Sequence, residues 1–229
     1  MWQFLRRPQP PEFVRTYSAG SWPPPDTPWR EVPYVVLDVE TSGLNARRDA
    51  LLAIGLVEIN AGRVCLDRTW YSLVRPPDGL LVAANSIRIH GLLRSELAEA
   101  PPITDVLPLL LERLRGRVLV VHVASIDIDF INKALRPYGG RLCGPIIDTA
   151  RIALTMHYNA RMIGEANHDE TEPAIQLRTL ATSYGLPVYG QHNALNDALT
   201  TAQLLLAQIS RLEQRHPIDL KRLLRHGGI

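Results

Sequence analysis

"YVVLDVE", residues 34–40, places two acids two positions apart at the end of an apolar run. Such a run is typical of a buried β-strand, in which the side chains of residues i and i+2 point to the same face of the sheet. Asp38 and Glu40 therefore leave that face side by side, and two like charges this close cost free energy unless a proton or a cation lies between them. The pair indicates either a site for an oxygen-preferring divalent ion, such as Mg²⁺ or Mn²⁺, or an edge strand whose acids lie in water.

The segments on either side of this strand predict a mixed α/β sheet. Residues 51–60 and 63–74 have the pattern of two further strands, and the short turn between them predicts a hairpin. The apolar runs 117–122 and 145–148 predict two more strands, each followed by a helix, whereas residues 159–175 are polar and predicted to be irregular. Helical patterns occur at 103–116, 125–139, 149–158, 176–186 and 193–215, with a short one at 84–92. A hairpin followed by alternating strands and helices implies a five-stranded mixed sheet flanked by helices.

The ends of the chain differ in composition from this central part. Residues 1–33 contain eight of the 18 prolines and three of the four tryptophans. This density of proline favours extended polyproline geometry and argues against an ordinary helix, and the tryptophans indicate docking on the folded domain or on a partner. We therefore predict a Pro/Trp-rich extension over 1–32, one folded domain over 33–213, and a basic tail or helix over 214–229. The basic tail would follow a nucleic-acid backbone or face solvent.

Composition places few limits on the partners of the protein. The formal net charge of +2 is too small to establish a polyanionic partner. Lys133 and Lys221 are the only lysines, and the prevalence of arginine suits bidentate phosphate contacts but also follows from a biased genomic base composition. No apolar run approaches the ~18 residues that span a bilayer, the N-terminus lacks the apolar region of a secretory signal, and two lone cysteines suit a reducing compartment. We expect a soluble, cytoplasmic protein.

A second polar constellation, "HNALND", occupies residues 192–197. Asn193 is a favourable helix cap, which leaves His192 in the preceding loop and places Asp197 in the first turns of the helix. A loop histidine beside a carboxylate on a helix suits a base near a metal, although a capping Asn followed by a solvent-exposed Asp is common. Asp148 also lies at the start of a predicted helix, where an acid caps more often than it binds metal.

Three motifs of this sequence resemble, in their order and spacing, the exonuclease motifs of the DEDD superfamily. They are "LDVETSGL", "HVASIDIDF" and "HNALNDA". The histidine five residues before the last aspartate resembles the DEDDh branch, which contains the epsilon-like proofreading exonucleases of bacterial DNA polymerase III. The similarity covers about residues 33–210 and includes "IRIHGL" and "IIDTARIA". It implies a ribonuclease H-like fold and a metal-dependent 3′–5′ exonuclease that releases nucleoside 5′-monophosphates from DNA.

The resemblance also implies a role for each matching residue. The implied ligands of two divalent cations, Mg²⁺ or Mn²⁺, are Asp38, Glu40, Asp127 and Asp197. Asp38 would bridge both ions, and Asp127 would support the site. Glu40 and Asp197 would hold the ion that activates water, and His192 would act as the general base. Two cations can stabilise the attacking and leaving oxygens of a displacement at phosphorus, and a neutral histidine can accept the proton of the attacking water.

Further residues are implied to contact the substrate. Thr41, Gly43 and Leu44 would line the terminal nucleotide, by backbone contact and as an apolar wedge against the base. His90 and His122 would either line the same pocket or have a structural hydrogen-bonding role. The implied partners are a nucleic acid with a free 3′ end and a polymerase that contacts the N-terminal extension.

"HVASIDIDF", residues 122–130, contains two aspartates, and the local structure decides which one belongs to the site. In a strand, Asp127 and Asp129 would point to the same face. A helix with Ser125 as its N-cap instead places Asp127 on the side that carries Phe130, and turns Asp129 away by about 200°. We predict the helix, so that Asp127 is the ligand and Asp129 is a surface acid.

Two positions depart from the family pattern, and two alternative functions stay open. Val123 stands where Asn is expected and lacks an amide that could brace the site, whereas Ile126 stands where Phe is expected and lacks the ring. Neither change removes a metal ligand, so we expect activity. The alternatives are an RNA 3′ exonuclease of the same chemistry, and a non-catalytic polymerase-associated module whose extension docks a partner.

Overall fold

A computed structural model describes residues 9–80, 86, 88, 90–163, 174–190 and 192–229 of the chain. Its centre is a five-stranded sheet with the strand order β3-β2-β1-β4-β5. The strands are β1 Tyr34–Thr41, β2 Leu51–Asn60, β3 Arg63–Leu73, β4 Val118–Val121 and β5 Ile146–Asp148. β2 is antiparallel to β1 and to β3, whereas β4 runs parallel to β1 and to β5. This mixed sheet confirms the predicted fold class.

Helices cover both faces of the sheet. They are α1 Glu12–Ser18, α2 Arg94–Glu99, α3 Ile103–Leu114, α4 Ser125–Leu135, α5 Thr149–Met162, α6 Leu177–Ser183, α7 Ala194–Glu213 and α8 Leu220–Gly227. The prediction of irregular structure from residue 159 onward is wrong for 159–162, because Ala, Arg and Met favour the continuation of α5. The short helix predicted at 84–92 lies largely outside the described residues, and α2 was not predicted.

The side chains of β1 alternate between two cores. Val35 and Leu37 belong to a cluster with α1, α3 and α4, whereas Tyr34 and Val36 belong to a cluster with α5, α7 and α8. These four side chains are at most 1% exposed. By the same alternation, the acids at the end of β1 lie on the α7 side of the sheet.

The N-terminal segment packs on the sheet domain. The expectation that it forms no ordinary helix is wrong for α1, because residues 12–18 contain no proline and Pro11 lies at the N-cap, where proline is tolerated. Tyr17 of α1 is buried, and its hydroxyl accepts a hydrogen bond from Cys143 N at 3.0 Å and donates one to Cys143 O at 2.9 Å. Trp29 is 6% exposed. The boundaries of the predicted domain stay predictions.

The C-terminal residues form a helix with one buried face. The Asp219 side chain caps α8 by accepting a hydrogen bond from Arg222 N at 2.7 Å, and Leu220 and Leu223 are buried. The chain then forms an isolated bridge between Gly228 and Ile147 of β5. No helix in the described ranges combines the length and the apolarity needed to cross a bilayer.

Candidate active site

Three carboxylates converge where β1 meets the first turn of α7. Asp38 and Glu40 project from β1, and Asp197 projects from α7. One oxygen from each of these three carboxylates, called here the acidic cluster, lies within 4.8 Å of the other two. Glu40 is buried, and the other two are half-buried. The fold thus brings together the acids of the first and the third sequence motif.

The turn before α7 fixes the third carboxylate of the acidic cluster. Asn193 is the N-cap, as predicted, and its side-chain oxygen accepts hydrogen bonds from Leu195 N and Asn196 N at 3.2 Å each. His192 has a φ of 55°, a left-handed conformation that is uncommon for residues other than glycine. Its backbone N–H donates a hydrogen bond to Asp197 Oδ2 at 3.1 Å. The exposed His192 therefore adjoins the acidic cluster through its backbone.

Asp127 approaches the acidic cluster from the α4 side of the sheet. The prediction that Ser125 is the N-cap of α4 is wrong by one residue. Ala124 is the N-cap, and Ser125 is the first residue of the helix. Asp127 is 4% exposed, and its Oδ1 accepts a hydrogen bond from Val39 N at 3.1 Å. Asp129, two residues on, is exposed. The two aspartates point in different directions, as a helix requires.

Burial and mutual repulsion favour the protonated form of these carboxyl groups. Burial is the largest cause that raises the pKa of Asp38 well above its usual range, and the nearby Asp127, Asp197 and Glu40 raise it further. Burial, and then the charge of Asp197, raises the pKa of Glu40 to about 7. Burial also raises the pKa of Asp127 and of Asp197, although the hydrogen bond from His192 N opposes the shift at Asp197.

The donor set of the acidic cluster fits a divalent cation. In the part of the chain that the structure describes, no lysine or arginine forms an ion pair with these carboxylates. Among the described residues, their repulsion is therefore not offset by an ion pair with lysine or arginine. Carboxylate oxygens are the ligands that Mg²⁺ and Mn²⁺ prefer, so the residues fit an ion of this kind.

Asp148 holds the turn between β4 and α4. Val123 in this turn has a φ of 59°, which is rare for a β-branched residue. Asp148 Oδ1 accepts a hydrogen bond from Val123 N at 3.1 Å, and Asp148 Oδ2 accepts one from Ala124 N at 3.1 Å. As the predicted N-cap of α5, Asp148 also accepts a hydrogen bond from Ala150 N at 2.9 Å. The bonds to the neighbouring turn were missed, because they depend on the alignment of β4 with β5. Asp148 therefore positions the start of the helix that carries Asp127.

The loop after β1 presents an exposed apolar side chain. Leu44 is 80% exposed, and Thr41 Oγ1 donates a hydrogen bond to Gly43 O at 2.7 Å within the loop. A Cβ atom on Gly43 would lie 2.5 Å from Asp49 Oδ2, and that oxygen accepts a hydrogen bond from Asn45 N at 2.8 Å. In this structure the glycine makes room for Asp49, and the backbone contact of Gly43 with a substrate stays a prediction.

His90 is hydrogen bonded within the chain. Its Nδ1 accepts from Leu92 N at 3.0 Å, so the ring proton lies on Nε2, which is 3.1 Å from Ser86 Oγ. Ser86 Oγ donates in turn to Thr41 O at 3.0 Å. Burial, and then His192, lowers the pKa of His90 and favours the neutral ring. His90 therefore supports the loop after β1 through Ser86.

Both ring nitrogens of His122 also have hydrogen-bond partners within the chain. Its Nε2 lies 2.6 Å from Ile175 O, which can only accept, so Nε2 donates. Its Nδ1 lies 2.7 Å from Thr149 Oγ1, and this hydroxyl is also 3.3 Å from Val121 O. Burial lowers the pKa of His122 more than the Ile175 and Asp148 oxygens raise it. Both ring nitrogens have partners, which matches the structural role left open for this residue; a contact with substrate stays a prediction.

Comparison with known proteins agrees with the geometry. The family model described as exonuclease (RNase_T) matches residues 35–205. The chain is similar to the DNA polymerase III PolC-type protein of Caldanaerobacter subterraneus, with 27% identity over 181 residues that cover 79% of this chain and 12% of that protein. It is also similar to the DNA polymerase III subunit epsilon of Aquifex aeolicus, with 26% identity over 195 residues that cover 83% of this chain and 89% of that protein.

A solved structure shares the fold. The nuclease domain of 3′hExo, a DEDDh family member bound to rAMP, superposes with a TM-score of 0.64 at 13% identity, over 81% of this chain and 95% of that chain. At this identity the likeness concerns the fold alone. The chain spans only 12% of the length of the PolC-type relatives, so it corresponds to one part of those proteins.

Proposed function

The chain belongs to the exonuclease family whose model matches residues 35–205, and from that membership we propose that it is a metal-dependent 3′–5′ exonuclease. The observation that carries the proposal is the acidic cluster, whose three carboxylates lie within 4.8 Å of one another. The substrate would be the 3′ end of single-stranded or frayed DNA, and the product a nucleoside 5′-monophosphate. The names of the relatives, both DNA polymerase III proteins, support DNA as the substrate and a polymerase as the partner.

The acidic cluster and Asp127 would hold two divalent cations, Mg²⁺ or Mn²⁺. Opposite charge would offset the burial and the repulsion that now favour the protonated carboxyl groups, so these groups would give up their protons on binding. Asp38 is close to each of the other three acids, which suits the ligand shared by both ions. When bound, the ions supply positive charge to the attacking and leaving oxygens of phosphodiester hydrolysis.

His192 would accept the proton of the attacking water. Its side chain is exposed, and its backbone N–H holds the residue against Asp197 Oδ2 at 3.1 Å. The residue is therefore fixed beside the acidic cluster while its imidazole stays open to the solvent from which water and substrate arrive. A neutral imidazole in that position can act as a general base.

The loop after β1 would bind the terminal nucleotide. Thr41, Gly43 and Leu44 directly follow the acids of β1, and the exposed Leu44 side chain can lie against a base. His90 would act indirectly, because it is hydrogen bonded to Ser86, and Ser86 Oγ donates a hydrogen bond to Thr41 O. His122 would support the site through α5, where its partner Thr149 lies.

Two other functions remain as alternatives. An RNA 3′ end is a second candidate substrate, since the 3′hExo nuclease domain is bound to rAMP. A non-catalytic polymerase-associated module is less well supported, because buried carboxylates that repel one another cost stability and a scaffold gains nothing from them. Residues 9–32 of the extension pack on this chain's own domain, so a polymerase would meet them in that docked form.

Matched 5′-labelled DNA and RNA oligonucleotides test the reaction and its substrate. Each is incubated with Mg²⁺, Mn²⁺ or EDTA, and with the wild-type protein or Asp197→Ala. We expect stepwise shortening from the 3′ end that requires a metal and is abolished by the substitution, because Asp197 completes the acidic cluster. A faster rate on DNA than on RNA would support the proposed substrate, and the reverse would favour the RNA exonuclease.

A pair of substitutions on α4 provides the matched control. Asp127→Asn should lower the rate by on the order of 10² fold or more, because it removes a buried charge next to the reacting groups. Asp129→Asn, two residues away and exposed, should leave the rate within about twofold of wild type. Equal losses would contradict the assignment of Asp127. Shortening that survives Asp197→Ala would refute the site, and inactivity with both metals would favour the non-catalytic module.

A further inference from the structure

Gly55 lies in the middle of β2, directly opposite Asp38. The two residues are Cα partners in the antiparallel β1–β2 ladder, and directly opposite residues project to the same face of a sheet. The face that carries Asp38 is the face across which α7 packs. A side chain on Gly55 would therefore project towards α7, beside the acidic cluster.

The main chain of α7 occupies the space that such a side chain would need. A Cβ atom on Gly55 would lie 2.3 Å from both the carbonyl carbon and the oxygen of Ala194, and 2.4 Å from Leu195 N. Gly55 is absent from the residues with positive φ, so its backbone conformation is open to any residue. Glycine is needed here for space, which is the usual reason for a glycine inside a strand where another backbone comes close.

We propose that Gly55 is a positioning residue for the metal site: its missing side chain allows the first turn of α7 to lie close enough to β2 for Asp197 to join Asp38 and Glu40. This inference rests on the proposed function and adds to it a residue that touches neither metal nor substrate. The contact involves Ala194, which lies between the cap Asn193 and the ligand Asp197.

The start of α7 cannot avoid the added atom by a side-chain rotation, because the contacted atoms belong to the main chain. Carbon atoms in contact are about 3.5 Å apart, so the helix start would move by about 1 Å. Ala194, Ala198 and Ala202 are each 0% exposed along α7, which leaves little free space for the helix to shift elsewhere. A movement of about 1 Å exceeds the ~0.2 Å tolerance of metal–ligand distances.

The test measures Mn²⁺ binding by calorimetry, using the metal alone as the probe, together with kcat, KM and the melting temperature of the metal-free protein. For Gly55→Ala we expect at least tenfold weaker Mn²⁺ binding and at least tenfold lower kcat. KM should change less than kcat, because the loop that would bind the nucleotide follows β1 and not α7. Adding Ala194→Gly to Gly55→Ala should restore neither the Mn²⁺ affinity nor kcat, because the atoms that the new Cβ contacts belong to the backbone.

Ile209→Ala is the control for a general loss of stability. Ile209 is buried on the same helix, and its position 12 residues after Asp197 places it about 18 Å along the axis. It should lower the melting temperature while Mn²⁺ affinity and kcat stay within twofold of wild type. Should Gly55→Ala be too unstable to purify, it is made with Val123→Asn and compared with Val123→Asn alone. Val123 has a φ of 59°, which Asn adopts more readily than a β-branched residue, so this substitution should stabilise the chain.

The outcomes separate the two proposals. Wild-type protein that binds no Mn²⁺ and shortens no oligonucleotide would overturn the proposed function itself. Wild-type protein that does both, with a Gly55→Ala variant whose Mn²⁺ affinity and kcat match those of Ile209→Ala, would overturn only the positioning role of Gly55.

Discussion

The acids of β1 and the acids of the two later motifs are positioned by different means. β1 is paired with β2 at every residue from Tyr34 to Glu40, and with β4 over its first part. The register of this ladder alone places its two acids on one face. Asp127 and Asp197 instead follow turns in which a residue other than glycine has a positive φ, at 59° for Val123 and 55° for His192.

This difference has a physical consequence for mutation. Backbone hydrogen bonds hold the ladder, so the side chains at the end of β1 are not needed to keep the strand in place. The turns contain left-handed residues that cost free energy, and side-chain acceptors hold them: Asp148 for the first turn, and Asp197 together with the cap Asn193 for the second. Changes in β1 should therefore alter activity more than stability, and changes in the turns should alter stability first.

The largest expected effect is that of Asp38→Asn. We expect kcat to fall by on the order of 10³ fold, because the charge of the central acid is lost from the site of the reaction. The metal-free variant should nevertheless be more stable than wild type, because the substitution removes a buried acid that three neighbouring acids repel. Both quantities are measurable, the first by single-turnover kinetics and the second by thermal unfolding in EDTA.

The pH dependence of this gain in stability has a defined sign. The folded protein holds the Asp38 proton to a pKa well above the ordinary value of 3.8, while the unfolded chain releases it near that value. Wild-type stability therefore declines, relative to Asp38→Asn, as pH rises above about 4 towards neutrality. A difference in melting temperature that shrinks as pH rises, or a variant that is less stable throughout, would contradict the repulsion assigned to this cluster.

A smaller effect on activity and a larger one on stability are expected for Asp148→Ala in the turn. The substitution leaves three backbone N–H groups without their acceptor, those of Val123, Ala124 and Ala150. We expect the free energy of unfolding to fall by about 4 kcal/mol, the sum of a lost cap and two lost bonds to a charged acceptor. Urea unfolding of the metal-free protein measures it.

Asp148→Asn is the matched control, because it keeps one acceptor oxygen and should lose about half as much stability. The rate of Asp148→Ala at a temperature where it is folded should fall by roughly tenfold, since Asp148 acts on the reaction only by positioning α4. If Asp148→Ala is as stable as wild type, β4 and β5 hold the turn without the Asp148 side chain.

Sequence reasoning predicted those features that depend on local periodicity. The twofold period of "YVVLDVE" was enough to place Asp38 and Glu40 on one face, and the helical period was enough to separate Asp127 from Asp129. The caps Asn193 and Asp148 were also predicted, because capping depends on residue type and on position relative to a helix. The joint assignment of the three motifs came from the resemblance to a family, since no local pattern brings them together.

The features that were missed depend on contacts between distant segments. The space needed at Gly55 is set by Ala194, and the two extra hydrogen bonds of Asp148 are set by the neighbouring turn. A glycine inside an otherwise apolar strand is a recognised signal of close backbone approach, and it could have identified Gly55. The helix α1 occupies a stretch without proline, residues 12–18, inside a segment that is otherwise rich in proline, so the composition of the whole segment does not predict it.

The smallest expected effect is a gain in stability from Val123→Asn. The turn requires φ near 59° at this position, and a left-handed conformation costs an ordinary residue about 1–2 kcal/mol, whereas Asn adopts it readily. We therefore expect the free energy of unfolding to rise by about 1 kcal/mol. The hydrogen bonds from the main chain to Asp148 are unaffected by the change, so the comparison isolates the strain of the β-branched side chain.

Val123→Ala, which removes the branch but not the left-handed cost, should stabilise less than Val123→Asn in the same urea titration. If Val123→Asn and Val123→Ala both destabilise the protein, the contacts of the isopropyl group outweigh the strain, and the turn is held by packing as well as by Asp148.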